Sequence, residues 1–294
     1  MSETVTLLVD PAPADASGDF AATFREVDAT EPAVRVGDLA GQRGDGVFET
    51  IAFVDGHAQE VGPHLARLAN SARICELPEP NAAQWRQAIE TVGAKLPATG
   101  EFGIKVILSR GVDRGPAPTA WITANPAADQ TAVRTQGVEV VTLDRGYARD
   151  TAERAPWLLL GAKTLSYATN MAAIREAHRR GADDAVFVSS DGFVMEGPTS
   201  SVILRSGGVY ATPSPSGAIL HGTTQLSLFD HLAAEGRTVE YRDIRLEELL
   251  AAEAAWLVSS VRLATAITAI DGVAFPADLA ETAGFNAYLL TPRD

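Results

Sequence analysis

Lys163 stands between an apolar run, Trp157 to Leu160, and a stretch of helical character. An amine in apolar surroundings is pushed toward its neutral form, which is the form that attacks carbonyls and accepts protons. Taken alone, the same residue also reads as a solvated lysine at a helix start. Lysine is scarce, with Lys95, Lys105 and Lys163 the three in the chain. Tyr167 follows Lys163 by one expected helical turn, so both can face the same side. Gly222-Thr223-Thr224 opens another helical stretch, whose free N–H groups and dipole favour an anion. Thr223 is equally suited to act as a plain N-cap. Arg67, Arg110, Arg114 and Arg262 are fork donors suited to phosphate or carboxylate, although surface ion pairs would use them as well. Ser259 and Ser260 place two hydroxyls at the end of an apolar strand.

Several chemistries are excluded. The chain has 294 residues, 24 Lys+Arg against 38 Asp+Glu, and a formal net charge of −14. Such a chain lacks the positive footprint for nucleic acid or an anionic membrane surface. Gly161-Ala-Lys-Thr164 lacks the glycine that a phosphate loop needs before its lysine. No Gly-x-Gly-x-x-Gly opens a helix after a strand, and no Gly-x-Ser-x-Gly elbow is present. The histidines show no His-Glu-x-x-His spacing, and the single cysteine, Cys75, reads as an inert buried thiol, so no metal site is expected. Arg43-Gly44-Asp45 reads as loop. No run approaches the ~18 apolar residues of a membrane span, and the N-terminus lacks the pattern of a signal peptide, so a cytoplasmic location is expected.

The elements that must position these residues mix strands and helices in both halves, an α+β pattern rather than a regular βαβ series. Gly46–Val54, the turn Asp55-Gly56 and residues 57–61 read as a hairpin. On that first strand Phe48 and Thr50 share one face, and Val47 and Glu49 share the other. Residues 63–74 and 82–96 read as helices, and 102–108 and 120–124 as strands. Residues 164–180 read as a helix with Leu165, Met171, Ile174 and Ala177 available for the core. Residues 185–212 read as an antiparallel meander, in which Asp183, Asp184 and Asp191 look like turn or surface residues. A helix is expected over 223–235, with strands at 138–143, 239–244, 255–259 and 267–270 and a short helix at 246–252. The polar, Ala-rich stretch near 126–136 is the best linker, separating domains at 1–125 and 137–294.

Taken in order, Gly44-Asp-Gly-Val-Phe-Glu-Thr50, His64-Leu-Ala-Arg67, Lys163-Thr-Leu-Ser-Tyr167, Glu196-Gly-Pro-Thr-Ser-Ser201, Gly222-Thr-Thr-Gln225 and Ser259-Ser260 resemble the fold-type IV pyridoxal-phosphate (PLP) enzymes. That family includes branched-chain aminotransferases, D-amino-acid aminotransferases and aminodeoxychorismate lyases, and the chain is similar to its actinobacterial members. The resemblance runs from about Gly44 to Asp271 and implies a two-domain D-amino-acid-aminotransferase-like fold, with Lys163 in the second domain.

The resemblance implies that Lys163 forms the Schiff base with PLP and then shuttles the proton. It implies that Glu196 faces the pyridine nitrogen, and that Arg67, Thr223, Thr224, Ser259 and Ser260 hold the phosphate. Tyr167 would meet the cofactor's phenolic oxygen. On the substrate side it points to Arg110 for a carboxylate, with Phe48 and Thr50 turned toward the cofactor and Arg114 and Arg262 as further candidates. Serine at 201 and glutamine at 225 depart from the family's frequent asparagine and arginine. The activity implied is an aminotransferase acting on an amino acid or amine and a keto acid; the alternative is an aminodeoxychorismate lyase releasing pyruvate and 4-aminobenzoate. Members of the family are usually homodimers. A non-catalytic binding protein of the same fold would not need to retain both Lys163 and Glu196.

Overall fold

The structure, a computed structural model, describes residues 4–215 and 218–294. The chain forms two compact units. The first takes the chain through Ala128, together with Ala162–Tyr167 and Pro292–Asp294; the second takes Asp129–Gly161 and Ala168–Thr291. Lys163 thus packs with the first unit, whereas a boundary at 126–136 puts it in the second.

The first unit is built on an antiparallel sheet in the order β2-β1-β6-β5-β3-β4. Its strands are β1 (Val5–Val9), β2 (Phe24–Val27), β3 (Gly46–Val54), β4 (His57–Ala58), β5 (Glu101–Ser109) and β6 (Thr119–Pro126). Its helices are α1 (Leu39–Arg43), α2 (Val61–Ile74) and α3 (Ala82–Gly93). Val47, Ile51 and Phe53 of β3 face the core, where Leu65, Leu68 and Ala72 of α2 and Trp85 and Ile89 of α3 meet them. Each large side chain buried there contributes roughly 1.5–3 kcal/mol. The β3–β4 turn places Asp55 and Gly56 at positive φ, 46° and 86°, as a tight hairpin requires.

Residues 163–165 do not begin a helix. They run along the free edge of β3: Phe48 N–H donates to Lys163 O (3.0 Å), Leu165 N–H donates to Gly46 O (2.8 Å), and Val47 pairs with Thr164. Gly46 is required for this approach, since a Cβ there would lie 2.8 Å from Leu108 O and 2.8 Å from Leu165 Cδ1.

The second unit has a mixed sheet in the order β11-β10-β9-β12-β13-β7-β8, with β14 beside β13. Its strands are β7 (Val138–Asp144), β8 (Asp184–Val188), β9 (Ser201–Ser206), β10 (Val209–Pro213), β11 (Thr238–Arg242), β12 (Ala254–Ser259), β13 (Leu263–Ile270) and β14 (Val273–Ala274). Its helices are α4 (Thr131–Gln136), α5 (Thr151–Arg154), α6 (Ala168–Arg179), α7 (Thr223–Ala234), α8 (Leu246–Leu250) and α9 (Leu279–Leu289). The central strands β9, β12 and β13 are largely apolar because both their faces are covered. Ile203 and Trp256 pack with Leu228, Phe229 and Phe285 of α7 and α9, while Val202, Leu204 and Leu257 pack with Leu249 of α8 on the other face.

Several local expectations give way here. Helix α6 starts at Ala168 rather than at Thr164, and Met171 on it is exposed. The 185–212 stretch is not a simple meander, because β8 pairs in parallel with β7. Asp184 is buried rather than at the surface. Part of the 126–136 stretch is α4, which packs on β13 and α9. Among the described residues, no helix is long and apolar enough to cross a membrane, and no cluster of metal-ligating side chains occurs.

Candidate active site

In the first unit the β3 edge delivers Lys163. Its backbone is held on both sides, by β3 and by Ser71 Oγ of α2, which accepts the Lys163 N–H at 3.0 Å. The side chain lies among aromatic groups. Nζ is 4.5 Å from the Phe48 ring centroid, 5.4 Å from that of Tyr167 and 3.5 Å from Tyr167 Oη. Phe48 and Tyr167 meet edge to face at 5.3 Å. Tyr167 therefore reaches the lysine although no helical turn separates them; the extended 163–165 segment and the bend into α6 bring the two together. Lys105 Nζ lies 4.9 Å from the Phe48 centroid as well. Thr50 is half-buried, two residues along the Phe48 face.

The opposite face of β3 carries Arg67. Glu49 is fully buried there and takes both sides of the Arg67 fork, Nε to Oε1 and Nη2 to Oε2, each at 2.7 Å. His64 Nδ1 is 2.8 Å from Glu49 Oε2. Burial by itself would raise the Glu49 pKa; the Arg67 charge and hydrogen bonds, with the His64 bond, outweigh it and hold the carboxyl far below its usual range. Burial pushes His64 down despite Glu49, so the imidazole is neutral and donates its Nδ1–H to the carboxylate. The sequence reading missed Glu49. Its signal was a carboxylate on the core-facing side of an apolar strand, with His64 and Arg67 spaced to meet it.

Arg110, expected at a substrate carboxylate, is turned into its own unit. Its Nε donates to Asp45 Oδ2 (2.7 Å), Nη2 to Cys75 O (2.7 Å) and Nη1 to Glu76 O (3.1 Å). Arg114 is exposed. Arg262, in the second unit, donates from Nη1 to the buried Asp184 at 2.6 Å, so it serves an internal ion pair rather than standing open to a substrate.

In the second unit Glu196 Oε2 accepts the Leu220 N–H at 3.0 Å. Glu196 lines a small cavity with Ser201, Thr212, Leu220, His221 and Gln225. Gly222 is the N-cap of α7 and gives no side-chain cap. A Cβ there would fall 2.2 Å from Ser201 Oγ, so any larger residue would require the Ser201 hydroxyl to turn away. Thr223 and Thr224, in the first turn of α7, are buried. Thr224 Oγ1 donates to Ser260 Oγ at 3.4 Å, so the helix start and the turn after β12 are neighbours. The turn itself, 260–262, is followed by Leu263 at φ 66°, an uncommon conformation for a buried leucine. Gln225 donates to Tyr241 Oη at 3.2 Å.

The first unit thus gathers Lys163, Tyr167 and Phe48 at one place and Arg67 with Glu49 on the other face of the strand. The second gathers Thr223, Thr224, Ser260 and the neighbouring Ser259, with Glu196 tied to the loop that leads into α7.

The chain is similar to known proteins in both sequence and structure. Residues 46–270 match the family described as amino-transferase class IV. A protein of Mycobacterium tuberculosis named bifunctional aminodeoxychorismate lyase / D-amino acid transaminase is 44% identical over 255 residues, covering 83% of this chain and 88% of that protein. The structure of a fold IV-transaminase from Curtobacterium pusillum superposes with a TM-score of 0.93 at 50% identity, covering 98% of this chain and 99% of that one. A hypothetical aminotransferase of Mycobacterium tuberculosis, solved in a PLP-bound form, gives a TM-score of 0.86 at 39% identity and covers 97% of each chain. The chain belongs to the class IV aminotransferases, of fold type IV.

Proposed function

We propose that this chain is a PLP-dependent aminotransferase that moves an amino group between an amino acid or amine and a keto acid, with Lys163 as its catalytic residue. The observation that carries the reading is the setting of the Lys163 amine, on the aromatic faces of Phe48 and Tyr167 with its backbone pinned to β3. A pinned backbone and packed aromatic walls limit the positions that Nζ can take, which is what repeated proton delivery to one carbon requires.

The residues fit the cofactor. A dianionic phosphate suits an α7 start whose N-cap is glycine, with the Thr224 and Ser260 hydroxyls in reach of each other. Thr223, Thr224, Ser259 and Ser260 would hold the phosphate, together with Arg67. Glu196 would pair with the pyridine nitrogen and favour its protonated form. Tyr167 would donate to the phenolic oxygen. When bound, PLP supplies the aldehyde that captures the amino group and the ring that accepts electrons. Lys163 Nζ then takes and returns the proton, while Phe48 and Tyr167 exclude water from it. Thr50, on the Phe48 face, is assigned to the substrate side.

Sodium borohydride treatment of protein loaded with PLP tests the reading. Mass spectrometry should find the pyridoxyl group on the peptide containing Lys163 and none on Lys163→Ala protein. An adduct on another lysine, or none in wild type, would overturn the assignment.

The second reading, aminodeoxychorismate lyase, is favoured by the double name of the 44% identical relative. Release of pyruvate and 4-aminobenzoate from aminodeoxychorismate without any keto acid would establish it. Amino transfer from D- or L-amino acids to 2-oxoglutarate, without that release, would leave the aminotransferase alone.

The proposal includes a homodimer in the cytoplasm. Trp157 is 74% exposed and Leu158 47% exposed, apolar surface that a second copy would cover. Light scattering at twice the mass of the 31.0 kDa chain is expected; the mass of one chain would refute the dimer.

A further inference from the structure

We infer that Arg134 is a positioning residue for the phosphate of the bound cofactor, acting through the turn that follows β12. The inference rests on the reading of Ser259 and Ser260 as part of the phosphate site. Arg134 lies on α4, in the stretch whose composition reads as a linker. Its Nη2 donates to Val261 O at 2.8 Å and its Nε to Arg262 O at 3.1 Å. One guanidinium therefore takes two successive carbonyls of the 260–262 turn.

A peptide unit is planar and trans, so its C=O and N–H point in opposite directions. Drawing Val261 O toward Arg134 turns the Arg262 N–H away from it. That N–H makes no hydrogen bond to another described residue. Carbonyl oxygens repel a phosphate and N–H groups attract it, so the side of the turn opposite Arg134 is the side suited to an anion. The turn is constrained at further points. Leu263 is held at φ 66°, the Arg262 side chain is tied to Asp184, and Thr224 bonds Ser260. A backbone that adopts an uncommon conformation persists where surrounding contacts over-determine it. Arg134 supplies the contact that decides which groups face outward.

The same fork could serve only to tie α4 to the sheet, and such a role would leave cofactor recognition unchanged. The test therefore compares PLP with pyridoxal, which lacks the phosphate, by equilibrium binding to apoprotein. The preference of wild type for PLP over pyridoxal is the quantity read. Arg134→Ala should lower that preference about tenfold, the size expected for losing one charge-assisted contact, while pyridoxal affinity stays within twofold. Arg134→Lys, which can reach one carbonyl, should recover part of the preference; if the alanine protein does not fold, Arg134→Lys decides by the same ratio. An unchanged ratio in Arg134→Ala, or in Arg134→Lys where only that variant folds, overturns the inference. Absence of any PLP preference in wild type would instead overturn the phosphate reading of the turn itself.

Discussion

Replacing Lys163 by alanine is expected to lower turnover at least about a thousandfold, in the range for loss of a positioned acid–base group. The fold should survive. The contacts that fix residues 163–165 are made by the backbone, through Phe48 N–H, Leu165 N–H and Ser71 Oγ, and alanine keeps them all. What is lost from the folded state is the packing of the Lys163 side chain against Phe48 and Tyr167, a small contribution beside the backbone contacts. Urea melts and steady-state assays on the same preparation separate the two effects. A fall in stability large enough to explain the lost activity would mean that the side chain, and not only the backbone, holds the edge of β3. Residual turnover near the wild-type level would remove Lys163 from catalysis.

The second large effect concerns stability. Arg67→Ala strands a fully buried Glu49 carboxylate beside a neutral His64. Breaking a buried ion pair from one side costs about 3–5 kcal/mol. The sign with pH follows from the lowered pKa of Glu49, whose ordinary value is 4.5. A carboxyl depressed in the folded state contributes stability that is full above its unfolded pKa and is lost as pH falls below it. Wild type should therefore lose stability below pH 4.5, and the gap between wild type and Arg67→Ala should be widest near neutrality and narrow in acid. His64, depressed from 6.5, adds a loss that starts earlier, as pH falls below that value. Glu49→Gln, which keeps shape and one acceptor, should cost less than Arg67→Ala. Melts at pH 7 and pH 4 decide; a gap that does not change with pH would show that Glu49 is not the charged partner.

Much of the candidate site was readable in the chain because the motif residues lie at fixed spacings on short elements. Lys163, Glu196 and the Gly222-Thr-Thr start of α7 could be named without knowledge of any long-range contact. Tyr167 was reached for the wrong reason. Periodicity suggested a helix from Thr164, but residues 163–165 find hydrogen bonds on β3, and no local signal reveals a partner more than a hundred residues away. Helix α9 was missed because buried polar residues, Thr282 and Asn286, interrupt its apolar face. Thr282 accepts from Trp256 Nε1, and Asn286 bonds Ala264 through both N–H and C=O. Strand β13 was only half recognised because Leu-Ala-Thr-Ala at its start is weak in β propensity, and burial on both faces overrides that weakness. Arg110 and Arg262 show the limit from the other side. Residue type suited both to carboxylates, but it could not show that Asp45 and Asp184 lie within hydrogen-bond reach of them in the folded chain.

The pairing of residues 163–165 with β3 has a consequence for anyone who would dissect this protein. Cut at Ala128, the first unit would keep its sheet and helices but lose the strip of chain that closes β3 at Gly46–Phe48. That stretch would present bare N–H and C=O groups flanked by Val47 and Phe48, the kind of open border on which chains stack. A fragment made to study the first unit alone would therefore be prone to self-association, and a short peptide spanning residues 162–167 would be its natural stopper. The segment that brings the reactive amine to its place also keeps a raw strand out of reach of its neighbours.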